Sequence, residues 1–273
     1  MTSIAASSSA DLKPLVGVFD SGLGGLSVLG VLHRALPEHP LHYVADSAHA
    51  PYGERSDEYV AARTLAIGGH LVASGARLIV VACNTATAVA VAALRERWPE
   101  IPVVGVEPAI KPAVKTSTHG RIGVMATPTT LRSAKFQRLL DTHGGDATIV
   151  LQPCPGLAGQ IERGDLDAPD MVAMIETFCA PLREARVDTV VLGCTHYPFV
   201  RRHIQAAMGE GVALIDTAWP VSRQAARLLG VTPEDATSTA PVTLQTTGDV
   251  THLRSVVSRW LDFPCTVSAA SQI

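Results

Sequence analysis

The sequence predicts an α/β protein made of two pseudo-symmetric α/β halves, each a mainly parallel sheet flanked by helices, with the candidate site in the cleft between them. Three observations predict it. Short β-branched runs alternate with Ala- and Leu-rich helical segments, as parallel strands joined by helical crossovers require. Apolar residues make up 47% of the chain and charged ones 17%, enough to build a substantial core. A weak internal repeat aligns Arg77–Thr85 (RLIVVACNT) without gaps against Asp188–His196 (DTVVLGCTH), and Gly17–Ser21 (GVFDS) against Gly123–Thr127 (GVMAT).

Taken in order, strands are expected at Leu15–Phe19, Leu41–Ala45, Leu78–Ala82, Val103–Val106, Arg121–Met125, Thr148–Leu151, Thr189–Leu192 and Ala213–Ile215. Helices are expected at Gly25–Leu36, Asp57–Ser74, Ala86–Trp98, Thr130–His143, Leu157–Arg163, Ala168–Glu184, Val200–Met208 and Pro220–Leu229. Ser56 and Thr129 stand where the second and fourth helices need caps. Residues 1–14, rich in Ser and Ala, read as a disordered tail. Residues 15–107 form the first domain and 108–217 the second, with a boundary near Glu107–Thr118. Residues 218–262 are expected to pack back on the first domain, because the Val242–Thr246 strand has no obvious partner in the second. Residues 263–273 are read as a C-terminal tail.

Composition narrows the function. A formal net charge of −3 and the lack of any basic run argue against nucleic acid as a partner. No stretch reaches the roughly 18 consecutive apolar residues that span a bilayer, and the N-terminus has no signal-peptide core. The expected partner is a small molecule and the expected location the cytoplasm, with a homodimer as the candidate assembly. The five cysteines are odd in number and widely spaced, which argues against a disulfide framework. No C-x-x-C pair or zinc-finger spacing occurs, so no metal site is expected.

The chemistry gathers at two turns. Cys83-Asn84-Thr85 follows a strand and opens a helix, where unpaired N–H groups collect ligands and lower a thiol pKa. Asn84 and Thr85 add donors and acceptors suited to a small zwitterion. Gly193-Cys194-Thr195-His196-Tyr197-Pro198 repeats the arrangement, and His196 is placed to donate to a carboxylate or to position a proton. One strand-end cysteine is most simply a buried structural residue; two at matching positions are hard to ascribe to packing. Inversion at a carbon bearing hydrogen needs a base on one face and an acid on the other, which two facing cysteines supply. Pyridoxal phosphate would need a Schiff-base lysine. The only lysines, Lys13, Lys111, Lys115 and Lys135, lie in no suitable setting, so a cofactor-free route is expected.

Asp20-Ser21-Gly22-Leu23-Gly24-Gly25 ends the first strand. It only partly matches a dinucleotide loop, with Asp46 as the ribose acid, and Asp20 would place an anion beside any pyrophosphate. The favoured reading has the glycines opening the turn, so that Asp20 and Ser21 reach the substrate and Asp20 holds its ammonium group or tunes Cys83. Tyr52 and Gly53 line the same cleft or form a plain surface loop. Glu162 assists Cys194 or is a solvated helix-end acid. Cys179 and Cys265 read as structural.

Phe19–Gly25 (FDSGLGG), Asp46–Gly53, Ala82–Ala86 (ACNTA), Gly105–Pro108 (GVEP) and Gly193–Pro198 together resemble the glutamate racemases of the aspartate/glutamate racemase superfamily. Thr246-Thr247-Gly248-Asp249 is similar to the family's late motif. The resemblance implies that Cys83 and Cys194 are the catalytic acid/base pair, with Asp20, Glu162 and His196 as auxiliary groups. It also implies that Asp20, Ser21, Tyr52, Gly53, Asn84, Thr85, Thr195 and His196 contact glutamate, and that the D-glutamate formed feeds peptidoglycan synthesis. The rival expectations are an aspartate or other racemase of the superfamily, and a non-catalytic thiol-containing binding protein.

Overall fold

Every paired strand runs parallel to its neighbours, in two separate sheets. The computed structural model describes residues 13–270 and 273. Of the tail expected at residues 1–14, residues 1–12 lie outside the described residues.

The first half contains β1 (Leu15–Asp20), α1 (Leu26–Ala35), β2 (Leu41–Ala45), α2 (Asp57–Ala73), β3 (Ala76–Val81), α3 (Asn84–Arg97) and β4 (Val103–Gly105). The second contains α4 (Ile110–Thr116), whose Ile110 and Ala113 pack beside Ile122 and Val191, then β5 (Arg121–Ala126), α5 (Pro128–Arg132), α6 (Ala134–His143), β6 (Thr148–Pro153), α7 (Leu157–Glu162), α8 (Pro169–Glu184), β7 (Thr189–Leu192), α9 (Arg201–Met208) and β8 (Ala213–Ile215). The chain ends with α10 (Ala218–Leu229), β9 (Val242–Thr246), α11 (Val250–Trp260) and β10 (Thr266–Ala269).

The strand orders are β10-β9-β2-β1-β3-β4 and β6-β5-β7-β8. Without β9 and β10 the two sheets have one topology, with β1 matching β5 and β3 matching β7. The repeat is visible in side-chain detail as well. Gly17 in β1 leaves room for Leu71 of α2, and Gly123 in β5 leaves room for Leu182 of α8, with an added Cβ meeting the leucine at 3.1 and 3.0 Å. Each central strand thus lacks a side chain where its covering helix presses closest.

Several elements differ from expectation for local reasons. The helix expected at Thr130–His143 is two helices. Thr127, not Thr129, caps α5, and Ser133 leaves the helical conformation to cap α6 through the Phe136 N–H. The boundary segment 107–118 carries α4. In the segment read as a C-terminal tail, β10 pairs with β9, which pairs in turn with β2. The chain between them forms α11, which no expectation covered; Asp249 caps it by accepting from the Thr251 and His252 N–H groups. The apolar side of α10 (Ala218, Val221, Ala225, Ala226) joins the first-half core beside Leu26, Leu29 and Leu244. No helix among the described residues is long and apolar enough to cross a membrane.

Leu244 on β9 is fully buried in that core. Leu244→Ala is expected to lower unfolding stability by about 2–5 kcal/mol, the usual cost of such a cavity. Denaturant titration checks this, and a change under about 0.5 kcal/mol, the size of ordinary surface effects, would show that the C-terminal strand is not integral to the first sheet.

Candidate active site

The central strands of both sheets deliver their C-terminal ends to one place. β1 ends at Asp20, and β3 leads into Cys83, which caps α3 by accepting the Ala86 N–H on its sulfur at 3.4 Å. β5 leads into Thr127, and β7 into Cys194. Cys83 and Cys194 are 5% and 8% exposed, and Asp20, Ser21, Asn84, Thr85, Thr195 and His196 are buried with them. Gly193 lets the neighbouring strand of its own half come close: a Cβ there would stand 2.7 Å from the Met125 carbonyl oxygen.

Each cysteine has its own polar escort. Cys83 Sγ lies 3.6 Å from Ser21 Oγ. Ser21 is tied to Asp20 Oδ1, which accepts its N–H at 2.7 Å and its hydroxyl at 3.2 Å. Asp20 Oδ2 accepts from the Gly25 N–H at 2.5 Å and from Thr195 Oγ1, across the cleft, at 3.1 Å. Cys194 Sγ lies 3.5 Å from His196 Nδ1, and Nε2 of the same ring is 2.5 Å from Glu162 Oε1. That carboxylate oxygen also accepts the Leu23 N–H at 2.6 Å.

Burial sets much of the electrostatics. It pushes the Cys83 thiol well above its ordinary range, and the Asp20 charge adds to that. The helix N–H and Ser21 act in the opposite direction and lose, so the expected depression at a helix start does not occur. Burial also raises Asp20, against the pull of His196. For His196 burial alone would lower the pKa, but the Cys194 sulfur and the Glu162 carboxylate more than reverse it, and the ring holds its proton well above the usual histidine range.

The glycine loop has a second role besides opening the turn. An added Cβ on Gly22 would stand 2.2 Å from Glu162 Oε1, and one on Gly24 would stand 2.3 Å from His196 Nδ1. These glycines let the second half's acid and imidazole dock on the first half's backbone. Asp20 has both oxygens engaged by this loop, by Ser21 and by Thr195, and its charge acts on Cys83, one of the two roles expected for it.

The other expected contacts divide into two groups. Both amide atoms of buried Asn84 lack partners, and Thr85 Oγ1 lies 3.2 Å from Thr127 Oγ1 across the cleft. The Tyr52 hydroxyl, by contrast, donates to Asp46 Oδ2 at 2.5 Å. Asp46, considered above only as a ribose acid, is fully buried and forms a two-point ion pair with Arg63 at 2.8 and 2.9 Å. Thr247 Oγ1 donates to it as well. Gly53 faces Thr127 and accepts from Thr129 Oγ1 at 2.8 Å. Thr127 was noted only as the repeat partner of Ser21. That alignment was the signal for its place in the site, while Arg63 carried none.

The raised His196 pKa has a definite sign. Its proton stabilises the folded state in full below the unfolded value of about 6.5, and that contribution is lost as pH rises through the higher folded value. Glu162→Gln is expected to lower the His196 pKa, read by NMR titration of the ring. An unchanged value would show that the carboxylate does not hold the proton.

Known proteins place this architecture. The model described as Asp/Glu/hydantoin racemase matches residues 25–225. A glutamate racemase of Ectopseudomonas mendocina is 49% identical over 89% of this chain and 92% of its own length. One from Pseudomonas aeruginosa is 51% identical over 78% and 81%. Among solved structures, a glutamate racemase isoform of Bacillus anthracis superposes with a TM-score of 0.85 at 32% identity, covering 95% of this chain and 98% of that one. The Escherichia coli glutamate racemase, solved with L-glutamate and the activator UDP-MurNAc-Ala, gives 0.83 at 31% identity, covering 94% and 98%. Matched at these identities over most of its length, the chain belongs to the Asp/Glu/hydantoin racemase family.

Proposed function

We propose that this protein interconverts L- and D-glutamate without a cofactor, with Cys83 and Cys194 as the two acid/bases. The observation that carries the proposal is the pair of buried cysteines at matching strand ends of two topologically equivalent sheets, each beside its own proton-handling group. The relatives named above, all glutamate racemases, support glutamate as the substrate. Cytoplasmic residence, a homodimeric assembly and supply of D-glutamate to peptidoglycan belong to the same proposal.

The chemistry can be followed atom by atom. In one direction the Cys194 thiolate takes the α-proton and the Cys83 thiol gives its own to the opposite face. Cys83 suits the donor role at rest, since burial and Asp20 keep its proton in place. A thiolate at Cys194 is matched by the proton on His196, which Glu162 steadies. The reverse direction exchanges the two roles. The α-carbon is a weak acid, so the developing carbanion needs fixed donors around the substrate carboxylate. The unpartnered Asn84 amide, the Thr85 hydroxyl and the α3 N-terminus are the candidates. Lys13 and Lys135 form ion pairs with Glu38 and Glu107, outside the set of residues around the cysteines.

A circular-dichroism assay should show racemisation of L-glutamate well in excess of L-aspartate by purified, reduced protein with no added cofactor. Faster turnover of aspartate would favour the other racemases of the family, and no turnover of any amino acid would favour a binding protein. Cys83→Ala and Cys194→Ala should each lower kcat by about a hundredfold or more, the scale of a positioned acid or base. Wild-type turnover in either variant would refute the two-base assignment.

A further inference from the structure

We propose that the C-terminal helix α11 braces the Cys194 side of the site, with His252 and Arg259 as positioning residues that set Glu162 against His196. The proposal deepens the two-cysteine reading and rests on it.

The last carbonyls of a helix have no partner four residues ahead and must find one elsewhere. At the end of α7 that partner is α11. His252 Nε2 meets the Glu162 carbonyl oxygen at 2.9 Å, and Arg259 Nη1 donates to the Gly164 carbonyl at 3.1 Å. Gly164 turns the chain with φ of 84°, and a Cβ there would stand 2.9 Å from Arg259 Nη2, so the missing side chain admits the guanidinium. A cation at a helix C-terminus also complements its dipole.

The brace is anchored at both ends. Leu253, Val256 and Val257 of α11 are buried in the first-half core with Val242 and Leu244. Leu157, Ala158 and Ile161 of α7 are buried in the second-half core with Cys194 and Tyr197. Glu162 is therefore held twice, its main chain by His252 and its carboxylate by Leu23 N–H and His196. The carboxylate contacts are short and directional, so drift of the α7 end weakens them and leaves His196 free to turn from Cys194. Cys83 has no such dependence, because Ser21 and Asp20, which escort it, belong to β1 and its loop.

The test uses the full chain with His252→Ala, the double variant with Arg259→Ala, and His252→Gln, which keeps a donor near the Nε2 position. Two enantiomers have equal free energies in water, so kcat/KM must agree in the two directions for any variant. The side of the fault is read instead from the α-deuterium isotope effect on kcat with each enantiomer. His252→Ala is expected to lower kcat about threefold to tenfold, the scale of one hydrogen bond. It should also raise the isotope effect for the enantiomer that gives its proton to Cys194 and lower, or leave unchanged, that for the other, with His252→Gln recovering most of the loss. Unchanged kinetics, or isotope effects that rise together, would overturn the positioning role. Amide hydrogen exchange across Leu157–Glu162 judges the brace without turnover: it should quicken in His252→Ala, and an unaltered rate would overturn the brace. A wild-type protein that racemises nothing would refute the proposed function, while the exchange result would still decide the brace.

Discussion

The two halves meet where side chains are missing. Gly22 and Gly24 leave the space in which Glu162 and His196 sit, and the Leu23 N–H between them bonds the Glu162 carboxylate. The loop from Ser21 to Gly25 thus serves two sites at once. One end holds Asp20 and Ser21 beside Cys83, and the middle receives Glu162 and the His196 ring that lies beside Cys194. Any side chain on Gly22 or Gly24 would push the second half's acid or imidazole away, so the close fit of the two halves here depends on the absence of two Cβ atoms. Thr195 closes the same seam from the other side, donating to Asp20 while its carbonyl accepts from Ser27.

The sheets are nearly symmetric, but the chemistry grafted on them is not. A hydroxyl and a buried carboxylate stand beside Cys83, and an imidazole backed by a carboxylate stands beside Cys194. Burial and Asp20 keep the first cysteine protonated, while the second has a neighbour that holds a proton of its own. In the proposed reaction one cysteine is a thiol and the other a thiolate, and the proton on His196 is the counter-charge for the second sulfur. Cys83 and His196 both lie away from bulk water, where charges interact more strongly than at the surface.

Much of this was legible in the sequence. Nine strands, Val242–Thr246 included, were visible in the sequence, and the ungapped alignment around Cys83 and Cys194 exposed the repeat that makes them a pair. Three kinds of feature were not legible. Ser133 breaks a helix by capping its successor, and its Ala-Lys-Phe sequel is helix-compatible, so the sequence runs through the break unmarked. β10 is a four-residue strand with no buried/exposed alternation and α11 a short helix, and their partners, β9 and the end of α7, are separated from them in the chain. The glycine loop pointed to a close approach but not to what approaches, because Glu162 follows Gly22 by well over a hundred residues. The expected lowering of the Cys83 pKa failed for a related reason: a helix start is local and visible, whereas burial is a property of the whole fold.

The central claim is that two cysteines handle two different protons, and the isotopic course of the reaction in deuterated water tests it most directly. L-glutamate converted to a small extent should give D-glutamate carrying deuterium at the α-carbon, while the recovered L-glutamate keeps its original hydrogen. Substrate hydrogen carried into the product, or deuterium entering recovered L-glutamate ahead of the product, would mean that one group serves both faces and would contradict the account.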